Sequence, residues 1–261
     1  MKDQIRKLVF AHVKQEAAEW LERVSGPLTD AGQLYPAFAQ VPRKVGKAVL
    51  SQTPPADNGL MPPGSESRFD HWTIDRLCRV YLLAAYTNPD EEQYCKTVEG
   101  LFTAADMNEL VALYSALPVL AYPDRWKKRC AEGIRSNLGN VLEAIMYHNP
   151  YPAAYLEQPG WNQLILKAFF TDKQLALIDG LQERNNRELA LTLLDYVHER
   201  WAAGRTVNPM IWLLIGQFAE EAFLKDFDTV LSGPDPAAKQ FLAEGIALSP
   251  FEPAKRLLNN F

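Results

Sequence analysis

The sequence lacks the features that mark membrane proteins and nucleic-acid-binding proteins. Its longest uninterrupted apolar run, Met210 to Gly216, falls far short of the roughly 20 residues that span a bilayer, so we expect no membrane insertion. The 27 basic residues are outnumbered by 32 acidic ones, and a net charge of −5 argues against binding to nucleic acids or anionic lipids. The polar start, Met1 to Gln4, has no apolar stretch behind it and predicts no signal peptide.

Cysteine and histidine are scarce, which leaves little material for metal or redox chemistry. The three cysteines, Cys78, Cys95 and Cys130, form no C-x-x-C motif, and each falls in a predicted helix. We therefore expect reduced thiols in the core of a cytoplasmic protein. With four histidines, the chain carries no GxSxG, Walker, HExxH, dinucleotide or Cys/His zinc signature. We expect no cofactor and assign no catalytic residue.

The patterns that are present are helical. Apolar residues recur at spacings of three and four, and short Pro, Gly and Asn punctuation separates the segments that carry them. No pair of strands with hairpin turn chemistry is found. The sequence therefore predicts an all-α fold, with helices stacked as antiparallel pairs in a HEAT-like α-α superhelix or packed as an irregular helical bundle. We expect one helical domain over residues 1–261, with an irregular Pro/Gly-rich loop at about 51–69.

The N-terminal part is predicted to form two helices before that loop. Residues 3–24 place Val9, Val13 and Trp20 on one face and predict a single amphipathic helix. A second helix is expected from about residue 36 to residue 50, with a break at Pro42. After the loop, Asp70 is the predicted N-cap of the next helix.

Several later helices have local start signals. Asn88-Pro89 precedes a run of acidic residues, and Asp235-Pro236 is a second cap followed by proline. Asp106 and Glu109 have the spacing of a capping box.

A basic helix is predicted from about residue 124. Its expected inward face consists of Trp126, Cys130, Ile134 and Leu138. Its basic run consists of Arg125, Lys127, Lys128 and Arg129. Because no Gly-rich phosphate loop accompanies this run, we interpret it as a solvated face rather than an anion site.

The stretch from Asn149 to Arg205 is the densest in aromatic and apolar residues. The helix near residues 161–170 is expected to be nearly surrounded by protein. Asn162 lies there on a buried row, where its amide needs hydrogen-bond partners. Two roles are open for this amide: a hydrogen-bonded link between neighbouring helices, or contact with a ligand. A longer helix is expected from Glu183 to Ala203, with an i,i+4 pair between Glu183 and Arg187.

That longer helix also carries a candidate metal cluster. Asp195, His198 and Glu199 share one face, and two carboxylates with an imidazole suit a divalent ion. A helical two-metal site normally needs a second carboxylate-x-x-His motif, which the chain does not have. We therefore interpret the three residues as a charged flank and keep the metal site as the alternative.

Short segments of this stretch resemble the EboA-domain family. They are His148-Asn149-Pro150-Tyr151-Pro152, Trp161-Asn162-Gln163, Leu166-Lys167-Ala168, Gly180-Leu181, Arg184-Asn185, Glu188-Leu189-Ala190 and the run from Glu199 to Arg205. The resemblance implies a helical, cytoplasmic protein encoded with other Ebo components, among them a UbiA-like prenyltransferase in the membrane. It further implies a role in the traffic of secondary-metabolite precursors out of the cytoplasm, and it carries over no catalytic residue.

Together, the residues and the resemblance lead us to expect a non-enzymatic adaptor or small-molecule-binding protein. A stack of helix pairs offers a concave groove that suits a partner or an aromatic metabolite. The side chains expected to stack on such a ligand or orient it are Tyr151, Tyr155, Trp161, Asn162, Lys167, Arg184, Trp201 and Arg205. The alternatives are a metal-dependent enzyme centred on Asp195, His198 and Glu199, and a protein scaffold for membrane-bound partners.

Overall fold

The computed structural model describes residues 2–26, 28–50, 69 and 71–258. The described residues form fifteen α-helices and no sheet, with one isolated bridge between Val49 and Thr73, so the predicted all-α class is confirmed. In this part of the chain, no helix combines the length and apolar character that crossing a bilayer requires. The chain divides into two compact units, Met1–Glu157 and Gln158–Phe261.

Most helices of the first unit are short. In chain order they are α1 (Lys2–His12), α2 (Gln15–Ser25), α3 (Ala31–Val45), α4 (Ile74–Ala85), α5 (Glu91–Ala104), α6 (Met107–Ser115), α7 (Lys127–Arg135), α8 (Gly139–Met146) and α9 (Tyr151–Tyr155). Helix α4 is the central one: it packs against α1, α3 and α6, and ten of its twelve residues are buried. Leu77, Val80, Tyr81 and Ala84, which recur at spacings of three and four, are among them.

Two boundary predictions for the N-terminal helices are wrong. The single helix expected over residues 3–24 is two helices, because the backbone becomes extended at Lys14. The break allows the two halves to pack differently, with α1 against α4 and α2 against α3. Helix α3 runs through Pro42 to Val45 and does not break there. Pro42 has no N–H for the carbonyl of Phe38, and the Arg79 Nε of α4 donates to that carbonyl instead, at 3.4 Å.

The predicted start signals of the first unit have mixed outcomes. The capping box of Asp106 and Glu109 is present as predicted. Helix α5 begins at Glu91 and takes its cap from Asp90 rather than Asn88. Helix α4 begins after Thr73, while the expected cap Asp70 and residues 51–68 of the predicted loop lie outside the described residues.

The basic helix of the first unit is shorter than predicted. Trp126 closes a short 3-10 turn, and α7 then ends at Arg135. Trp126, Cys130 and Ile134 are buried as expected. Leu138 lies beyond the end of α7 and is 37% exposed, so its predicted inward position is wrong.

The second unit contains six helices in its described residues. They are α10 (Gln158–Phe170), α11 (Arg187–Ala202), α12 (Ile211–Gly216), α13 (Leu224–Ser232), α14 (Pro236–Leu248) and α15 (Glu252–Leu258). The predicted cap Asp235 is confirmed, since its carboxylate accepts the N–H groups of Ala237 and Ala238. Helix α11 begins four residues later than expected, after Asn186, so Glu183 lies outside it. Arg187 pairs with Glu220 instead.

Helices α12 and α14 make an unusually close crossing in the second unit. All six residues of α12 are buried. A Cβ atom added at Gly245 of α14 would lie 2.6 Å from the carbonyl oxygen of Leu213, and one added at Gly216 would lie 3.0 Å from the backbone nitrogen of Ile246. The two backbones are in direct contact, which only glycine permits at these positions.

Candidate functional site

Three of the eight predicted ligand residues meet in the second unit. Trp161 on α10 is fully buried, and the Arg184 guanidinium lies over its ring at 5.2 Å from the ring centre. Asn162, the next residue along α10, exchanges amide hydrogen bonds with Asn186, the N-cap of α11, at 2.8 and 3.3 Å. Asn186 also donates to the carbonyl of Arg184. This cap residue therefore connects α10, α11 and the loop that precedes α11. We call Trp161, Asn162, Arg184 and Asn186 the Trp161 cluster.

Within this cluster the indole nitrogen of Trp161 is exceptional. It is buried, and the described part of the chain provides no acceptor for its N–H. A buried donor without a partner costs about 1–3 kcal/mol, so native proteins retain few of them. By contrast, the indole N–H of Trp126 donates to the carbonyl of Ala121 at 2.8 Å.

The remaining predicted residues of the second unit belong to α10, to α11 or to the segment just past α11. Lys167 is half-buried near the end of α10. Trp201, at the end of α11, packs against the ring of Trp212 with 5.7 Å between ring centres. Arg205 is exposed, just past α11.

The two predicted tyrosines belong to the first unit. Tyr151 is 1% exposed and stacks on Tyr155 with 4.9 Å between ring centres. Its hydroxyl donates to the carbonyl of Pro123, and burial raises the pKa of Tyr151 well above its usual value. Tyr151 therefore has a packing role in α9, whereas Tyr155 is half-buried at the end of that helix.

The candidate metal residues are all exposed on α11. The Nε2 atom of His198 lies 2.9 Å from a carboxylate oxygen of Asp226 on α13, so the imidazole already has a partner. Across the described residues, no group of three His, Cys, Asp or Glu side chains is arranged to hold a metal ion.

The basic run at the start of α7 is largely paired with carboxylates. Arg125 contacts Glu91 and Glu92, Lys127 contacts Asp124 and Glu157, and Arg129 contacts Glu99 and Glu132. These pairs fix α7 against α5 and the end of the unit.

Sequence reasoning missed the charged residues of α4. Asp75 and Arg79 are 3% and 2% exposed and form an ion pair at 2.9 Å, and Arg79 also contacts Glu109 at 3.3 Å. Arg76 stacks on Trp72, with 3.9 Å from the guanidinium carbon to the ring centre, and its Nε donates to the Ser115 hydroxyl at 2.9 Å. The available signal was the presence of three charged residues in an otherwise apolar twelve-residue helix. Because such a helix lies in the core, its charged residues are expected to need partners there.

The described residues of the first unit line at least two cavities. A shallow one of about 400 Å³ is lined by Asp90, Glu92, Gln93, Cys95, Lys96, Glu99 and Arg125. A smaller one of about 30 Å³ lies among α1, α4, α8 and the loop that follows α8. None of the eight predicted ligand residues lines either of these two cavities.

Fold and side-chain arrangement together define an all-α protein with polar side chains set into its helical cores. The chain belongs to the EboA family, because the family model described as "Metabolite traffic protein EboA" matches residues 1–216. The resemblance seen in the short segments is thereby confirmed, and the family description indicates a role in metabolite traffic. No curated protein and no solved structure gives a significant match.

Proposed function

We propose that this protein is a non-enzymatic adaptor that binds a small molecule during the traffic of a secondary-metabolite precursor from the cytoplasm towards the membrane or periplasm. Its partners would be other Ebo-cluster proteins, including a membrane-bound UbiA-like prenyltransferase, and its ligand an aromatic metabolite. The observation that supports this best is the Trp161 cluster, in which three residues chosen from the sequence lie together and the indole N–H has no acceptor among the described residues.

The chemistry of the cluster suits an aromatic ligand with an oxygen atom. A carbonyl or hydroxyl oxygen would accept the Trp161 N–H that the described chain leaves unsatisfied. The Arg184 guanidinium lies over the face of the indole, where a flat ligand would stack in its place. The reciprocal hydrogen bonds between the side-chain amides of Asn162 and Asn186 hold α10 next to the start of α11. Within the second unit, Lys167, Trp201 and Arg205 belong to the same proposal.

Purification from the native host, followed by mass spectrometry of bound proteins and extracted small molecules, tests the proposal. We expect a bound aromatic molecule in the wild type and its loss in Trp161→Phe, which removes the N–H but keeps an aromatic ring. Trp126→Phe is the matched control, because its N–H already has an acceptor, and this variant should retain the molecule.

Two outcomes would refute this function. Co-purified proteins without any small molecule would favour the scaffold. A stoichiometric metal ion that is lost in His198→Ala would favour the metal-dependent enzyme centred on Asp195, His198 and Glu199.

A further inference from the structure

The end of α3 carries an exposed cluster of positive charge. Residues 43–49 contain three cations and no acid. Arg43, Lys44 and Lys47 are all exposed, and none of their side chains forms an ion pair or hydrogen bond with another described residue. The basic run at the start of α7 differs in this respect, because most of its charges contact carboxylates. We call residues 43–49 the basic tip.

Backbone contacts hold the basic tip in place beside the start of α4. Gly46 ends α3 with a φ of 81°, in the left-handed region, and a Cβ atom added there would meet open space. Beyond this bend the chain pairs with the residues that lead into α4. The N–H of Leu50 donates to the carbonyl of Trp72 at 2.8 Å, and the N–H of Ile74 donates to the carbonyl of Ala48 at 2.9 Å. The three cations are therefore presented from a fixed position on the surface of the first unit.

Apolar side chains accompany these cations. Val49 is 61% exposed, more than any other large hydrophobic residue in the described chain, and its backbone is bridged to Thr73. Trp72, the neighbour of Thr73, is half-buried and meets Phe69 edge to face, with 5.0 Å between ring centres. Cations beside exposed apolar and aromatic side chains are typical of surfaces that lie in the headgroup layer of a bilayer.

The charge around the basic tip differs from the charge of the chain as a whole. The first 50 residues contain eight basic and five acidic residues, whereas the net charge of the whole chain is −5. Asp75, the acid in the first turn of α4, is buried and paired with Arg79, and Glu109 contacts the same arginine. A charged surface acts on a protein over about 10 Å at 0.1 M salt, so the local charge outweighs the net charge.

We propose that the basic tip docks this protein on an anionic lipid bilayer, with Arg43, Lys44 and Lys47 against the phosphates and Val49 in the interfacial layer. Charge complementarity favours this occupant, and a bilayer meets a projecting tip without a groove. Neither the cavity of about 400 Å³ nor the cavity of about 30 Å³ is lined by residues 43–49.

The strength of this docking follows from the number of cations. Each lysine or arginine near an anionic bilayer raises the partition coefficient about five-fold, so three raise it about 100-fold. The attachment is peripheral and weakens with salt. The basic tip belongs to the first unit and includes no residue of the Trp161 cluster, so the docking goes beyond the proposed binding of a small molecule.

Sedimentation of the full-length protein with vesicles tests the docking. Vesicles of equal parts phosphatidylcholine and phosphatidylglycerol provide the anionic surface, and pure phosphatidylcholine vesicles provide the neutral one, both at low ionic strength. We expect binding to the anionic vesicles alone, and its loss as salt is added. Arg43→Gln/Lys44→Gln/Lys47→Gln should lower the partition coefficient by about 100-fold. Val49→Ser should lower it by about three-fold, because less apolar surface leaves the water.

The matched control removes three exposed cations from other parts of the chain. Lys128→Gln/Arg135→Gln/Lys225→Gln changes the net charge by the same amount, and this variant should bind the anionic vesicles nearly like the wild type. Melting curves should agree among all these variants, since every replaced side chain is exposed.

Three outcomes would overturn the docking. The wild type could show no preference for anionic vesicles, or the two triple variants could bind them equally. Alternatively, inorganic polyphosphate could displace the protein at an equal phosphate concentration, which would identify a soluble polyanion as the partner. The assay contains no metabolite, so its failure would leave the proposed binding of a small molecule intact.

Discussion

Arg79 satisfies acceptors on three different helices of the first unit. It contacts Asp75 in its own helix, Glu109 on α6 and the Phe38 carbonyl on α3, which Pro42 leaves without a helical partner. One oxygen of Asp75 has no partner in the described part of the chain, so Arg79 is the main compensation for that buried charge.

Removal of this arginine should therefore destabilise the first unit strongly. We expect Arg79→Met to lower the free energy of unfolding by about 3–5 kcal/mol, because it leaves Asp75 buried and uncompensated. Urea denaturation followed by circular dichroism measures the change. The double variant Asp75→Asn/Arg79→Met should recover part of the loss, whereas Arg187→Met, on an exposed pair, should cost less than about 1 kcal/mol. A loss below about 1 kcal/mol for Arg79→Met would show that the network is not structural.

The buried thiols give the protein a defined alkaline limit. All three cysteines are buried and free, in agreement with the prediction, and burial raises the pKa of Cys78 and of Cys130 to about 12. Above about pH 9 the unfolded chain releases these protons while the folded chain retains them. The stabilisation from these two groups is thus complete below about pH 9 and is lost as the pH rises towards 12.

The thiol contribution can be isolated by comparing two proteins at two pH values. Between about pH 9 and pH 10, the wild type should lose about 1 kcal/mol more unfolding free energy per thiol than Cys78→Ala/Cys130→Ala. Urea denaturation at both pH values, with a reductant present, provides the measurement. Equal losses in the two proteins would mean that the thiols titrate normally in the folded state.

At the residue scale, the sequence located polar groups better than it located their partners. The buried row of α10 correctly marked Asn162 as an amide in need of hydrogen bonds, but Asn186 lies 24 residues away and no spacing rule connects the two. Arg76 was missed for a related reason. Its position in α4 can be read from periodicity, whereas its contacts with Trp72 and Ser115 are visible only once α4 and α6 are packed together.

Whole elements were predictable where their signals are local. The cap at Asp235 and the capping box of Asp106 and Glu109 involve atoms within three residues, and the structure has them as predicted. The break after His12 and the continuity of α3 at Pro42 depend on contacts with other helices, which the sequence pattern does not report. The same limit applies to Phe170, which was expected in a surrounded helix and is 54% exposed at the end of α10.

At the crossing of α12 and α14, replacing glycine by alanine should raise stability through helix propensity and lower it through packing. Alanine is favoured over glycine within a helix by about 1 kcal/mol, so Gly245→Ala would stabilise an isolated α14. Its Cβ atom would lie 2.6 Å from the Leu213 carbonyl oxygen, and the two helices would have to separate. We expect a net destabilisation of about 2 kcal/mol, measured by thermal and urea unfolding.

A glycine substitution on the exposed side of the same helix is the control for that test. Ala247→Gly should cost about 1 kcal/mol through propensity alone, since Ala247 faces solvent. If Gly245→Ala is more stable than the wild type, the close crossing does not constrain the second unit.

At the scale of the whole molecule, the family match and the compact units have different boundaries. The match ends at residue 216, the last residue of α12, whereas the second unit extends over Gln158–Phe261. The helix that packs most closely on α12 therefore lies outside the matched region.

A chain that ends at residue 216 should consequently fail to complete its second unit. Without α14, the buried surface of α12 would face water, and we expect increased binding of a hydrophobic dye and rapid proteolysis after residue 157. A chain that ends at Leu258 should behave like the full-length protein in both assays. Equal protease resistance of the two truncated chains would show that residues 1–216 fold without the last helices.

The glycine contact between α12 and α14 also fixes an order of events during synthesis. Helix α12 is complete at Gly216, and its cover, α14, is complete only at Leu248, 32 residues later. At elongation rates of about 5–20 residues per second this interval lasts about 2–6 s, during which the apolar segment of α12 lacks its closest neighbour. We therefore expect slower translation of residues 217–248 to lengthen the time for which α12 lacks α14.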